Sequence, residues 1–371
     1  MSALHEKFGL TRVINAAGTY TPLGVSRSPQ AVRQAAAQAL GEFFVMDELQ
    51  DALSARVARL TGAEAAVATH CVSAGITLSV AAAIAGSAPE RIAALPNTNG
   101  LPGRIVLPAG HAVNYGHPIE QDVRLAGGVP VLAGSEAGCT EAELDEALGR
   151  AGTGALLLVS SRLVRGAPVD LARAVALAHR HNLPAILDGA AQDLRIDELL
   201  ATGADLVLVS PHKYMASPTV GLVLGRRALV AAVRAHEKGI GRAMKPTKEA
   251  IVGLLAALEE REALDLSAWR REQDAKVAAL VSRAGALRGL RAEAIADPAG
   301  MPLRRARLHV DPQSAGLDAR SLAHALRGGD PSIRVMEHGV SEGVLDLELV
   351  PLTAEEIDAI ASRIETLAGT A

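Results

Sequence analysis

The sequence predicts an α/β fold: a large domain on a mostly parallel seven-stranded sheet, then a smaller α+β C-terminal domain. Three observations predict it. Short apolar runs bounded by Gly, Pro or Asp recur between residues 65 and 225, the appearance of strands buried on both faces of a parallel sheet. Longer Ala/Leu/Arg segments with helical spacing separate several of them, as parallel neighbours joined by crossovers require. After Arg226 the texture shifts to long helical stretches and then to further strand-like runs.

The predicted core strands are Ala65–Thr69, Arg104–Pro108, Val129–Ala133, Ala155–Ser160, Ala185–Asp188, Leu206–Ser210 and Val220–Leu224. Helices are expected over Ser73–Ala85, Val113–Ala126, Glu141–Gly149 and Leu171–His181. The last two strands lie too close for a crossover helix, so a return through Tyr214–Pro218 makes the final strand antiparallel to its neighbour. Beyond them come a helix to about His236, a Gly-containing loop at Gly239–Pro246 and a long helical stretch from Thr247 to Ala284. The smaller domain follows, with strands Ala306–Asp311, Ile333–Glu337 and Val344–Val350 and a last helix Thr353–Leu367. The expected division is 1–45 as an N-terminal segment packing with the small domain or a dimer partner, 46–246 as the large domain, and 247–371 as linker helix and small domain. A chain of 371 residues exceeds the roughly 100–200 residues of one typical domain.

Charge and cysteine usage narrow the class of function. Against 41 Asp and Glu stand 37 Lys and Arg, a formal −4, which disfavours nucleic acid as partner. Cys71 and Cys139 have no metal-ligand spacing and no neighbouring His cluster, so no metal site and a reducing compartment are expected. The N-terminus has no signal-peptide pattern and no run reaches the length of a membrane span. A cytoplasmic protein without a membrane partner is the expectation.

Three segments fall near the carboxyl ends of predicted strands, where open α/β sheets place their ligands: 69–75, 187–192 and 210–214. In the third, Lys213 directly follows a buried-looking strand, where desolvation lowers an amine's pKa toward the reactive neutral form that attacks an aldehyde. Alone it reads as an ordinary loop lysine. Asp188, however, ends the preceding parallel strand, which puts both side chains on one rim. A carboxylate there keeps a pyridinium nitrogen protonated, the arrangement that serves pyridoxal 5′-phosphate (PLP) as electron sink. Ser73, Ala74 and Gly75 open an Ala-rich helix whose N–H groups and Ser73 hydroxyl suit a phosphate. His111, just past a strand, is placed to lay its ring on the cofactor, and Ser210 and His212 flank the lysine as phosphate donors.

Together these pieces resemble the fold-type I PLP-dependent enzymes, and within them the group related to selenocysteine synthase and D-glucosaminate-6-phosphate ammonia-lyase. The matching stretches are 12–19, 72–76, 187–192, 209–214 with 219–225, and 239–249. The opening Asn-Ala-x-Gly-Thr at 15–19 and the Gly-Arg-x-Met-Lys loop at 241–245 are the most specific. The resemblance implies Lys213 as the Schiff-base lysine and Asp188 at the pyridine nitrogen. It implies His111 as the stacking group, Ser73, Ala74, Gly75, Ser210 and His212 around the phosphate, and Gln192 on the O3′ side. It also implies a homodimer or larger assembly of dimers.

Two features separate the chain from a selenocysteine synthase. The Arg-Val-Ile-Asn motif begins by residue 12, so a tRNA-gripping leader domain is not expected, and the net charge is negative. A small amino acid or amino sugar acid is the expected substrate. Lys213 serves as general base at Cα–H, and loss of a β-hydroxyl with release of ammonia and a 2-oxo product is the preferred reaction. Arg165, Arg242 and Lys245 suit a substrate carboxylate or distal phosphate, and Asn15 and Thr19 are expected substrate contacts across a dimer interface. The alternatives are an aminotransferase, a racemase, a selenocysteine synthase-like transferase on aminoacyl-tRNA, and a non-catalytic partner subunit of the same fold. The intact Lys213 and Asp188 pair argues against the last. His70 and Cys71 depart from the smaller residues of relatives, which points to an altered pocket or a differently packed strand end.

Overall fold

The computed structural model describes residues 3–368. Its strands in chain order are β1 (Val13–Asn15), β2 (Ala65–Thr69), β3 (Arg104–Pro108), β4 (Val129–Ala133), β5 (Thr153–Val159) and β6 (Ala185–Asp188). They continue as β7 (Leu206–Val209), β8 (Gly221–Gly225), β9 (Leu290–Ala296), β10 (Arg304–Val310), β11 (Ser332–Arg334) and β12 (Val344–Leu347). The described residues divide into two compact units, residues 28–263 and residues 3–27 with 264–368. Residues 28–45 and 247–263 thus group with the larger unit.

The larger unit holds a seven-stranded sheet in the order β2-β8-β7-β6-β5-β3-β4. From β4 to β7 the pairings are parallel, and β8 is antiparallel to both β7 and β2. The short connection after β7 forces that reversal, as the sequence indicated. Because side chains alternate along a strand, every strand but the edge strand β4, whose Val129 and Leu132 are exposed, feeds two cores. On β5, Leu156 and Leu158 enter one core, while Ala155, Leu157 and Val159 enter the other. Burying each such Leu contributes roughly 1.5–3 kcal/mol. The helix Val72–Ala85 lies in the second core; being apolar on nearly every side, it has no solvent face to offer.

Two helical expectations change, and two further helices are present. The span Val113–Ala126 is helical only over Ile119–Leu125, because Gly116 at φ +123° and Pro118 hold the preceding residues in a loop. The stretch Thr247–Ala284 breaks into Lys248–Ala263 and Leu266–Gly285, and Asp265 caps the second by accepting from the Ser267 and Ala268 N–H groups. Helices Gln30–Leu40 and Met46–Thr61, absent from the sequence reading, pack on Lys248–Ala263.

In the smaller unit, β12-β10-β9 form an antiparallel sheet, while β1 pairs in parallel with β11. The predicted strand Ile333–Glu337 therefore shortens to Ser332–Arg334 beside the N-terminal strand and touches the main small sheet only through an isolated bridge from Met336 to Asp346 of β12. One face of β10 carries Ala306, Leu308 and Val310 into the core. The other carries Arg305, Arg307 and His309, each paired with an acid: Asp297 and Glu348, Asp346, and Glu293. The paired β9 alternates charged and small residues, so it carries no apolar run. Among the described residues no helix is long and apolar enough to cross a membrane.

Candidate active site

Lys213 lies four residues past β7, and its own N–H donates to the Ser210 carbonyl (2.9 Å). Asp188 ends β6 opposite Leu208 in the parallel register, so the predicted common rim exists. Its Oδ1 accepts the Ala190 N–H at 2.9 Å. Burial pushes the carboxyl up to about 6, against the opposing pull of that N–H and of the Lys213 charge, with Asp122 adding a further push upward. The Ser210 N–H donates to the Ala190 carbonyl (3.0 Å), which ties the lysine loop to the aspartate turn.

His111 is 2% exposed. Its Nδ1 accepts the Val159 N–H at 2.9 Å, so the proton sits on Nε2. Burial lowers its pKa to about 4, and at neutral pH it presents an uncharged ring. Gly110 allows this placement: a Cβ there would lie 2.1 Å from the Arg165 carbonyl oxygen.

The phosphate cradle differs in part from expectation. The Ser73 hydroxyl donates to Asp122 Oδ1 (2.7 Å) rather than toward a ligand. The Gly75 N–H is taken by the Cys71 carbonyl (2.9 Å); Gly75 instead lets the helix approach Leu208 and Val223, whose side chains lie 3.1 Å from the position of an added Cβ. The backbone N–H groups of Val72, Ser73 and Ala74 remain at the helix start, where no intrahelical acceptor exists for them. His212 Nδ1 sits 3.0 Å from the Val220 carbonyl oxygen and donates to it. Burial lowers the His212 pKa, so donation from Nε2 to a phosphate requires a second proton, which the anion itself favours.

Gly221 closes the strand side of this helix start. A Cβ at that position would meet the Cys71 backbone carbon at 2.4 Å and its oxygen at 2.5 Å, contacts that only backbone movement relieves. Gly221→Ala is expected to cost about 2–4 kcal/mol of stability, within the range of overpacked cores and larger. Thermal melts against wild type check this; an unchanged melting temperature would mean that Cys71 moves freely.

Gln192 is fully buried. Its Oε1 accepts from Arg195 Nη1 (3.1 Å), and its Nε2 is buried with no hydrogen-bond partner in the structure. Such an orphan donor marks a place for an acceptor from outside the chain.

Four residues were missed in the sequence. Asp122, with a fully buried side chain, collects Ser73, Tyr115 and His117: the Tyr115 hydroxyl donates to Oδ2, and His117 Nε2 stands 3.1 Å from Oδ1. Burial and the nearby Asp122 carboxylate drive the Tyr115 phenol far upward in pKa. An Asp on the apolar face with Ile119 and Val123 was the available signal. Asp193, 1% exposed, accepts from the Tyr214 and Met215 N–H groups at 3.0 and 2.8 Å; its signal was its place five residues beyond Asp188.

Of the proposed substrate groups, the Arg165 side chain is on the surface, 3.3 Å from Glu136. Arg242 is exposed and Lys245 half-buried in a loop whose Met244 carbonyl accepts the His70 N–H (2.8 Å). Asn15 and Thr19 belong to the smaller unit. The Asn15 side chain is committed to its own loop, donating to the Gly18 carbonyl and accepting the Ala17 N–H, both at 2.9 Å. Gly18 is required there: φ is +74°, and a Cβ would lie 2.7 Å from Glu348 Oε2.

No family model matches the chain. It is 35% identical over 370 residues to D-glucosaminate-6-phosphate ammonia lyase of Salmonella typhimurium (strain 14028s / SGSC 2262), covering 98% of each chain. The chain belongs to the D-glucosaminate-6-phosphate ammonia-lyase family. A solved structure of a D-glucosaminate-6-phosphate ammonia-lyase superposes on this family member with a TM-score of 0.91 at 34% identity, covering all of both chains. A second relative, 5′-C-glycyluridine monooxygenase-decarboxylase of Streptomyces sp, is 33% identical over 98% of this chain and 91% of its own. The family is one of fold-type I PLP enzymes, and the residues present fit that cofactor. A rim lysine, a buried carboxylate held by an N–H, a neutral buried imidazole, a helix start with unclaimed N–H groups and an orphaned amide donor match its aldehyde, ring nitrogen, ring face, phosphate and hydroxyl.

Proposed function

We propose that the chain removes the α-proton of a small amino acid or amino sugar acid bearing a β-hydroxyl, expels that hydroxyl and releases ammonia and a 2-oxo product. The observation that carries this reading is the pairing of Lys213 with buried Asp188 on one rim of a sheet shared with an ammonia-lyase relative. When bound, PLP supplies the electron sink that makes the Cα proton of an attached amino acid removable. Lys213 is the residue that would carry it covalently, and its freed amine takes the proton at Cα. Asp188 would hold a proton at the ring nitrogen. Neutral His111 would cover one ring face, and the N–H groups at Val72–Ala74 with His212 and Ser210 would bind the phosphate. Gln192 Nε2 would donate toward O3′. Arg242 and Lys245 are the cations we assign to a substrate carboxylate or distal phosphate; Arg165 takes that role only by leaving Glu136.

We assign the enzyme to the cytoplasm on its two free cysteines, and to a homodimer on its surface. Phe43, wholly exposed, stands with exposed Leu40, Val45 and Met46 in a chain with three Phe in all, an apolar patch of the kind that partners cover. The test incubates PLP-loaded protein with hydroxy amino acids, D-glucosaminate 6-phosphate among them, and measures ammonia and 2-oxo product in equal amounts. Amino transfer to an added 2-oxo acid, or solvent deuterium exchange at Cα without ammonia, would overturn elimination in favour of transamination or racemisation. Light scattering on the same sample is expected to return at least two chains of 38.2 kDa.

A further inference from the structure

Lys213 is followed by two residues whose N–H groups converge on one atom. Tyr214 and Met215 both donate to Asp193 Oδ2, at 3.0 and 2.8 Å. The other oxygen, Oδ1, is buried with no hydrogen-bond partner in the structure. Such a placement is costly, because an isolated polar atom out of water forfeits roughly 1–3 kcal/mol. The loop it holds is itself constrained: Ala216 adopts φ +52°, which an Ala rarely occupies, and the Ser217 N–H closes back on the Pro211 carbonyl.

We propose that Asp193 is a positioning residue for Lys213: its carboxylate clamps the backbone just past the lysine and, as a second buried anion beside Asp188, sets the charge state of the Lys213 amine. This rests on the reading of Lys213 as the reacting amine. The clamp limits the amine's reach by anchoring the chain one and two residues downstream. The charge acts because a buried carboxylate is poorly screened. Asp188, Asp193 and His212 each feel the Lys213 charge, with His70 acting on His212 and Asp122 on Asp188. Removing the negative charge of Asp193 leaves the ammonium with less compensation, so the amine loses its proton more readily.

The experiment uses the cofactor-free full chain and the pH dependence of Lys213 modification by trinitrobenzenesulfonate, quantified by peptide mass spectrometry. Asp193→Asn keeps an oxygen for Tyr214 and Met215 but removes the charge. Its labelling profile is expected to move to lower pH, giving about three- to tenfold faster modification at a fixed pH below the midpoint. Asp193→Glu restores the charge and is expected to return the profile toward wild type. Superposable profiles for wild type and Asp193→Asn, or an equal displacement in Asp193→Glu, would overturn the assignment and leave Asp193 a structural clamp. Should Asp193→Asn not fold, Asp193→Ser carries the same comparison. Failure of the PLP reading is visible separately, as wild-type protein that gains no visible absorbance band with added PLP, and the labelling comparison stands without the cofactor.

Discussion

Lys213→Ala is expected to lower ammonia release by at least ~1000-fold, about 4 kcal/mol of transition-state stabilisation, and to abolish the borohydride-fixed label on peptide 213. One side chain supplies both the covalent anchor and the Cα base, so a single truncation removes two functions that no neighbour replaces. His212 is held by Val220 and Tyr214 follows on the clamped backbone. The loss is chemical rather than a collapse of the fold. The same truncation deletes the cation that pulls down the carboxyls of Asp188 and Asp193, so both shift further up and hold their protons to higher pH. A Lys213→Ala protein that retains a tenth of the wild-type rate would remove the lysine from the mechanism.

Asp188→Asn is expected to cost ~100-fold or more in kcat, in the range seen when a buried charge partner of a reacting centre is removed, with melting behaviour that separates catalysis from stability. In the folded, cofactor-free chain the Asp188 carboxyl sits at about 6 against an ordinary 3.8. A carboxyl raised on folding favours the folded state while it keeps its proton. That advantage is complete below the ordinary value and lost as pH rises through about 4 to 6. The two-unit rise corresponds to about 3 kcal/mol. Asp188→Asn carries no titrating group there, so its stability relative to wild type should climb across that window and level above it. Urea melts of both proteins from pH 4 to 7 read the difference. A flat difference would mean that the Lys213 charge already balances Asp188 in the folded state.

The four-sided burial of β5, β6 and β7 made their runs of Leu, Val and Ile legible without a structure, since a strand covered on both faces has no polar alternation to confuse it. The amphiphilic β9 and the helices Gln30–Leu40 and Met46–Thr61 were not legible, because their faces are apolar only toward partners distant in sequence. Gly116 and Pro118 carried a local signal that outranked the apolar periodicity around them, and the helix at Ile119 starts late for that reason.

The site divides along the same physical line. The positions of Lys213, Asp188 and His111 follow from the sequence, because each sits at or just beyond the end of a strand whose direction the chain order dictates, and the rim of a parallel sheet collects such positions. Only the tertiary structure decided that Ser73 spends its hydroxyl on Asp122, 49 residues away, that the Asn15 side chain serves its own loop, and that Asp193 grips the residues after Lys213 from across a turn. A buried carboxylate takes whatever donors the packing brings within reach, and that choice is made by long-range contacts that local pattern and propensity do not encode.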